Sequence, residues 1–219
     1  MQEIDIATWK RKEHFSFFRK ADLPFYNITA PVDISGLKEF AKTQACSFNT
    51  LLVYLTTKAM NTVENFKFRL RGETVVLHDR IHPSFAHLKN GDDLFSLITV
   101  DFSDDLSAFD QTVRAAIAAC DSYFNLAHLK GRDDFVFISS IPWISFTGID
   151  HTLSLKKNDA IPRVTWGKYF DDNGRTLLPF NIQVNHMFVD GLHVGRFFAK
   201  LDRDIQAIRT LKRESDTCG

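Results

Sequence analysis

The residues best suited to chemistry lie in IQVNHMFVDGLHVGR, residues 182–196. An apolar, strand-like run leads into His186. After three intervening residues the chain reaches Asp190-Gly191 and turns into a helical pattern. This spacing puts an imidazole at a strand end, beside a short bend fixed by a carboxylate and a glycine. Proton abstraction needs such a mount, because it tolerates little misplacement. Histidine suits the task, since imidazole titrates near physiological pH. Taken alone, the pattern has plainer readings: Asp190 as the N-cap of the following helix, and His186 as a hydrogen-bonded core residue. His186, Asp190 and His193 are also spaced like metal ligands. However, His186 precedes the helix and does not share a face with His193, and no Cys/His cluster completes a shell, so no metal site is expected. The histidines at 14, 78, 82, 87 and 128 follow no ligand pattern. No G-x-S-x-G elbow, G-x-G-x-x-G turn or Walker loop is present, which leaves serine-hydrolase, dinucleotide and P-loop chemistry without support.

The elements that must position these residues are read from periodicity. A strand is expected from Phe25 to Val32. Asp33 or Ser35 is expected to cap a short helix over Gly36–Thr43, and Ser47 or Asn49 to open a more apolar helix running to about Asn65. Short β-rich runs follow (FKFRLR, ETVVLHD, HPSFAHLK, LFSLITVDF), with turns at Gly72, Pro83 and Asn90-Gly91. Residues Asp105 to Tyr123 read as an amphipathic helix with Leu106, Phe109, Val113, Ile117 and Cys120 on one face. DDFVFISSI is a buried strand. RVTWGKYFDD and RTLLPFNIQVNH form a hairpin turned by Asn173-Gly174. The stretch from Gly191 to about Lys212 is a helix. Strands and helices are interspersed without strict alternation, so the expected fold class is α/β, a two-layer sandwich with a mixed sheet.

Composition sets the outer bounds. The 219 residues suit one domain over 1–219 with a sizeable core. Lys+Arg and Asp+Glu are both 27, so no basic nucleic-acid footprint is present. No apolar run is long enough to span a bilayer and no targeting segment is visible. Cys46, Cys120 and Cys218 form no pair at a useful spacing, which fits a reducing cytoplasm. Phenylalanine is abundant, at 21 residues against 4 Tyr and 3 Trp, enough to fill a core and line an apolar pocket.

Five segments, in order, carry a resemblance: WKRKEHFSFFR, FISSIPWISFTGID, RVTWGKYF, LLPFNIQVNH and HMFVDGLHVGRF. They resemble the chloramphenicol acetyltransferase family from Trp9 to about Ile205. The resemblance implies a CoA-dependent acyltransferase fold, acetyl-CoA as cosubstrate, a small alcohol acceptor, and a homotrimer with active sites at subunit interfaces. It places the catalytic histidine at His186, the oxyanion-stabilising serine at Ser139, and a threonine near the tetrahedral intermediate at Thr165. It pairs Asp190 with Arg11, as a structural fork anchoring the His186 turn. Lys168 and Tyr169 match positions near the nucleotide end of the coenzyme. Phe17, Phe18, Ala86 and Phe95 match the acceptor pocket. Four positions depart from the usual pattern: Asn185 replaces a histidine, Ala86 a pocket threonine, and Ser47 a basic residue near the coenzyme phosphate, while Phe18 stands where tyrosine is common. The implied function is acetyl transfer to a hydroxyl of chloramphenicol or a similar small aromatic alcohol, conferring antibiotic resistance. A different alcohol acceptor, or a catalytically idle ligand-binding relative, remains open.

Overall fold

A computed structural model describes residues 1–89, 91–124, 129–153 and 159–217, with 211–217 described by backbone only. Asn90 of the expected Asn90-Gly91 turn and His128 lie outside the described residues. The element order is β1 (Gln2–Ile4), α1 (Lys12–Phe18), β2 (Phe25–Asp33), α2 (Leu37–Thr43), α3 (Phe48–Asn61), a 3-10 turn (Glu64–Lys67), β3 (Phe68–Arg71), β4 (Thr74–Leu77), β5 (His82–Leu88), β6 (Phe95–Thr99), α4 (Leu106–Ala118), β7 (Phe135–Ile141), β8 (Arg163–Gly167), β9 (Phe170–Asp172), β10 (Arg175–Asn185) and α5 (Gly191–Thr217). The main sheet runs β2-β10-β8-β7-β5-β6, with β9 paired to β10; a small sheet runs β1-β4-β3. β7 is parallel to β5 and β8, while β10 is antiparallel to β2 and β8, so the sheet is mixed.

Strand alternation decides which face meets the helices. Phe180, Ile182, Val184, Val164, Trp166, Ile138, Phe85 and Ile98 share one core with Leu51, Leu55 and Met60 of α3 and Phe197, Leu201 and Ile205 of α5. The opposite face is polar. Its rows follow from register: Thr29, Asn181, Thr165 and Ser139 in one, and Asn27, Gln183, Arg163, Phe137 and Ser84 in the next. Several of these polar groups are buried, and burial obliges them to bond one another. Arg163 donates to Asp159 at 2.6 Å and to the Ile161 carbonyl at 2.9 Å, and Ser84 meets Thr99 at 2.8 Å.

Several expected boundaries shift, each for a visible reason. Neither Asp33 nor Ser35 caps α2. The Asp33 carboxylate instead accepts from Ser35 and Arg209, Ser35 Oγ accepts from the Thr176 N–H, and the N-cap is Gly36 at φ 82°. Ser47, not Asn49, caps α3 by accepting from the Thr50 N–H at 2.9 Å. That helix stops at Asn61, whose amide turns to the Ile81 backbone. α4 ends at Ala118 rather than near Tyr123, because the Tyr123 carbonyl accepts from Leu97 of β6. Asn173 (φ 50°) and Gly174 (φ 77°) make the β9–β10 turn in the left-handed region that dipeptide favours. No described helix is long and apolar enough to cross a membrane.

Candidate active site

His186 sits where β10 ends, and every contact on it fixes the imidazole. Its backbone N–H donates to the Pro24 carbonyl at 2.6 Å. The Phe18 ring stacks on it at 3.8 Å and 8° between planes, and Tyr26 leans against it at 4.7 Å. Nδ1 is buried 3.1 Å from Asp190 Oδ1, close enough for charge to be felt but outside hydrogen-bond geometry. The side chain is 34% exposed, so the accessible edge of the ring is the one that carries Nε2.

The turn itself is held by Arg11. Its two terminal nitrogens grip Asp190 Oδ2 and Oδ1 at 2.5 Å each, Nε donates to the Met187 carbonyl at 2.8 Å, and Nη2 also donates to the His186 carbonyl at 3.0 Å. A planar guanidinium satisfies such a set, where a lysine cannot. The Arg11 hydrogen bonds hold the Asp190 carboxyl below the usual carboxylate range, outweighing partial burial. The Tyr26 phenol is pushed up to about 12 by burial and by the Asp190 charge, against the pull of Arg11. The carboxylate of Asp190 therefore serves the arginine, and only its backbone carbonyl starts α5, accepting from Val194. His193 Nδ1 accepts the Asp190 N–H at 2.9 Å, which occupies that nitrogen.

Ser139 and Thr165 face each other across the β7–β8 pair, with Asn181 next in line on β10. Ser139 lines a cleft of about 340 Å³ with Ala86, Phe95, Leu97, Phe137 and His151. Thr165 lies buried in the sheet beneath. Lys168 and Tyr169 line a second cleft of about 310 Å³, walled by Phe48, His87, Pro142 and Trp166. Gly167 lines that cleft: a Cβ there would sit 2.7 Å from the Ile144 carbonyl, so only glycine lets the Lys168 N–H reach that oxygen at 2.8 Å. The two clefts share Ala86. His186, Phe17 and Phe18 line neither, so the expected site residues fall into two groups within one chain.

A family model for chloramphenicol acetyltransferase matches residues 1–202. The chain belongs to the chloramphenicol acetyltransferase family. A chloramphenicol acetyltransferase from Klebsiella sp is 30% identical over 202 residues, 91% of each chain. One from Clostridium perfringens is 30% identical over 198 residues, 89% of this chain and 90% of that one. Among solved structures, a chloramphenicol acetyltransferase superposes with TM-score 0.84 at 29% identity, covering 93% of this chain and 98% of that one. A dihydrolipoamide acetyltransferase from Azotobacter vinelandii shares the fold, with TM-score 0.62 at 18% identity over 90% of this chain and 87% of that one. The protein is therefore an acyltransferase with the mixed-sheet fold of this family.

Within the chloramphenicol acetyltransferase framework, two departures acquire a local explanation. Asn185 is 2% exposed; its amide donates to the Asp159 carbonyl and its oxygen accepts the Met187 N–H. It braces the turn after β10 and lines neither of the two clefts. Ser47 is spent as the α3 cap. Sequence reasoning missed Tyr26, Pro24 and His151. Tyr26 supports His186 from a strand read only as scaffold, and Pro24 from just before that strand. His151 is a lone histidine in a loop, with no spacing to single it out.

Proposed function

We propose that the protein transfers acetyl from acetyl-CoA to a hydroxyl of chloramphenicol or a similar small aromatic alcohol, with His186 as general base. The observation that carries the reading is the mount of His186, whose ring is immobilised on three sides with its Nε2 edge left accessible. In this reading Nε2 takes the proton of the acceptor hydroxyl as its oxygen bonds to the thioester carbonyl carbon. Ser139 Oγ donates to the developing oxyanion, an interaction commonly worth about 2.7–4 kcal/mol at the transition state. The C–S bond then breaks, and the departing thiolate recovers the proton from His186. Thr165 packs beneath this centre. Lys168 and Tyr169 receive the nucleotide end of the coenzyme in the second cleft. Phe17, Phe18 and Phe95 offer apolar walls to the acceptor, and Ala86 stands between the clefts. No metal takes part.

We further propose a homotrimer in which His186, Phe17 and Phe18 of one copy meet the Ser139 cleft of its neighbour. The separation of the two groups within one chain supports this, as do the exposed Phe17 (71%) and Trp143 (67%), apolar surface of a kind that marks interfaces. A cytoplasmic protein contributing to antibiotic resistance follows from the same reading.

The test is thiol release from acetyl-CoA with chloramphenicol and a panel of hydroxyl acceptors, for the wild type and for His186→Ala. The expected result is turnover that falls about 10²–10⁴-fold or more in the variant, with the fold unchanged. Near wild-type turnover in His186→Ala would remove the histidine from the mechanism. No thiol release with any acceptor, alongside tight binding of one, would instead make the chain an idle ligand-binding relative.

A further inference from the structure

The Ser139 cleft contains a polar group that the acetyl-transfer step leaves unused. His151 Nε2 lies 2.8 Å from Asn181 Oδ1, and Asn181 Nδ2 donates to Thr29 Oγ1 at 2.9 Å. Asn181 is 0% exposed. An amide oxygen only accepts, so Nε2 carries the proton of the ring. Burial holds the imidazole below its ordinary pKa, and the Arg163 charge acts the same way, against the Asn181 bond and Asp150. The ring is therefore neutral near pH 7, and Nδ1 keeps a lone pair with no partner among the described residues. Among the neighbouring polar residues, Ser84 is engaged with Thr99, and Arg163 with Asp159 and the Ile161 carbonyl, while Thr152 is exposed. Around them the cleft is apolar, lined by Phe95, Leu97 and Phe137.

Register gives the distance over which this acceptor works. Ser139, Thr165 and Asn181 stand in line on three adjacent strands. Two strand spacings amount to about 10 Å. That is close to the length of a benzene ring bearing a short alcohol at one end and a polar substituent at the other. We propose that His151 determines acceptor specificity: its Nδ1 accepts a hydrogen bond from a phenol, amine or amide N–H at the far end of an aromatic alcohol whose hydroxyl is acetylated beside Ser139. The inference rests on the acetyl-transfer reading and narrows its substrate class to alcohols with a second donor. A site built around a buried hydrogen-bond acceptor rejects analogues that cannot donate to it.

The experiment compares para-hydroxyphenyl propanol with its para-methoxy counterpart, chloramphenicol serving as control acceptor, and reads kcat/KM by thiol release. The wild type is expected to favour the hydroxyl compound by roughly two- to tenfold, the scale of one neutral hydrogen bond. His151→Leu should abolish that preference, bringing kcat/KM for the hydroxyl and methoxy compounds to within about twofold of each other. If His151→Leu lowers both together, through loss of the Asn181 bond, His151→Gln decides. Glutamine can donate to Asn181 and still present an oxygen, so a retained preference supports the proposal and a lost one overturns it. A wild type that acetylates chloramphenicol without preferring the hydroxyl compound overturns the inference alone. A wild type that releases no thiol with any of the three overturns the acetyl-transfer reading as well.

Discussion

At the residue scale, the candidate site separates groups that act on charge from groups that hold them. Ser139→Ala should lower kcat more than it raises KM, because an oxyanion exists only beyond the ground state. Steady-state kinetics with acetyl-CoA varied will check this, and a pure KM effect would make Ser139 a binding residue. Arg11 acts at one remove, through the His186 turn. Arg11→Ala leaves the Asp190 carboxylate and two carbonyls without their donors. Lost hydrogen bonds to a charged group of this partial burial correspond to about 1.5–3 kcal/mol, read as a fall in urea midpoint. Arg11→Lys should recover only part of that, since one ammonium cannot reproduce the fork. Ala86→Thr would restore a hydroxyl to the wall between the clefts and should raise kcat/KM for chloramphenicol by roughly two- to tenfold. An unchanged value would make Ala86 a neutral substitution. The aspartate and glycine after His186 were legible in the sequence because their spacing is local. The carbonyls that Arg11 grips were not, because a backbone oxygen has no sequence signature.

At the scale of elements, the strands and long helices were legible because their apolar periodicity is strong, whereas β1 and α1 are short and interrupted by charge. β10 shows the division clearly. Its alternation of Asn181, Gln183 and Asn185 with Ile182 and Val184 can be read as two faces. That the polar face is also buried depends on a loop distant in sequence, where His151 resides. Ser47→Ala should cost about 0.5–2 kcal/mol by removing the α3 cap, seen as a lower urea midpoint with unchanged slope. The start of β7 carries a pH-dependent joint. Burial by itself would raise the Asp133 pKa, but hydrogen bonds from His78 and Arg71 outweigh it and hold the carboxyl well below its ordinary range. Its stabilising contribution is thus complete above the ordinary carboxylate pKa and is lost as pH falls toward the depressed value. The stability gap between the wild type and Asp133→Asn should be widest near neutral pH and narrow below about pH 4. A gap independent of pH would assign the effect to packing.

At the scale of the whole molecule, the two separated groups of site residues lead to a complementation test. His186→Ala and Ser139→Ala, each strongly impaired alone, should recover activity when unfolded together and refolded as mixed trimers. With random assembly, about a quarter of the interfaces would join an intact histidine to an intact serine. Recovery near that fraction supports the shared site, while none would place both residues in one copy. The proposed neighbouring copy is implied only by the resemblance, because an exposed phenylalanine such as Phe17 reads in sequence like any core residue.

The grip of Arg11 on Asp190 also bears on how the protein is made. The two residues are separated by 179 positions, so during synthesis, which proceeds from the N-terminus, the arginine emerges long before its partner. Most of the sheet has been translated before the histidine's turn can be locked. The turn that carries His186 thus cannot be locked until the region around residue 190 has been made, and any nascent or truncated chain lacking that region carries an arginine with nothing to clasp.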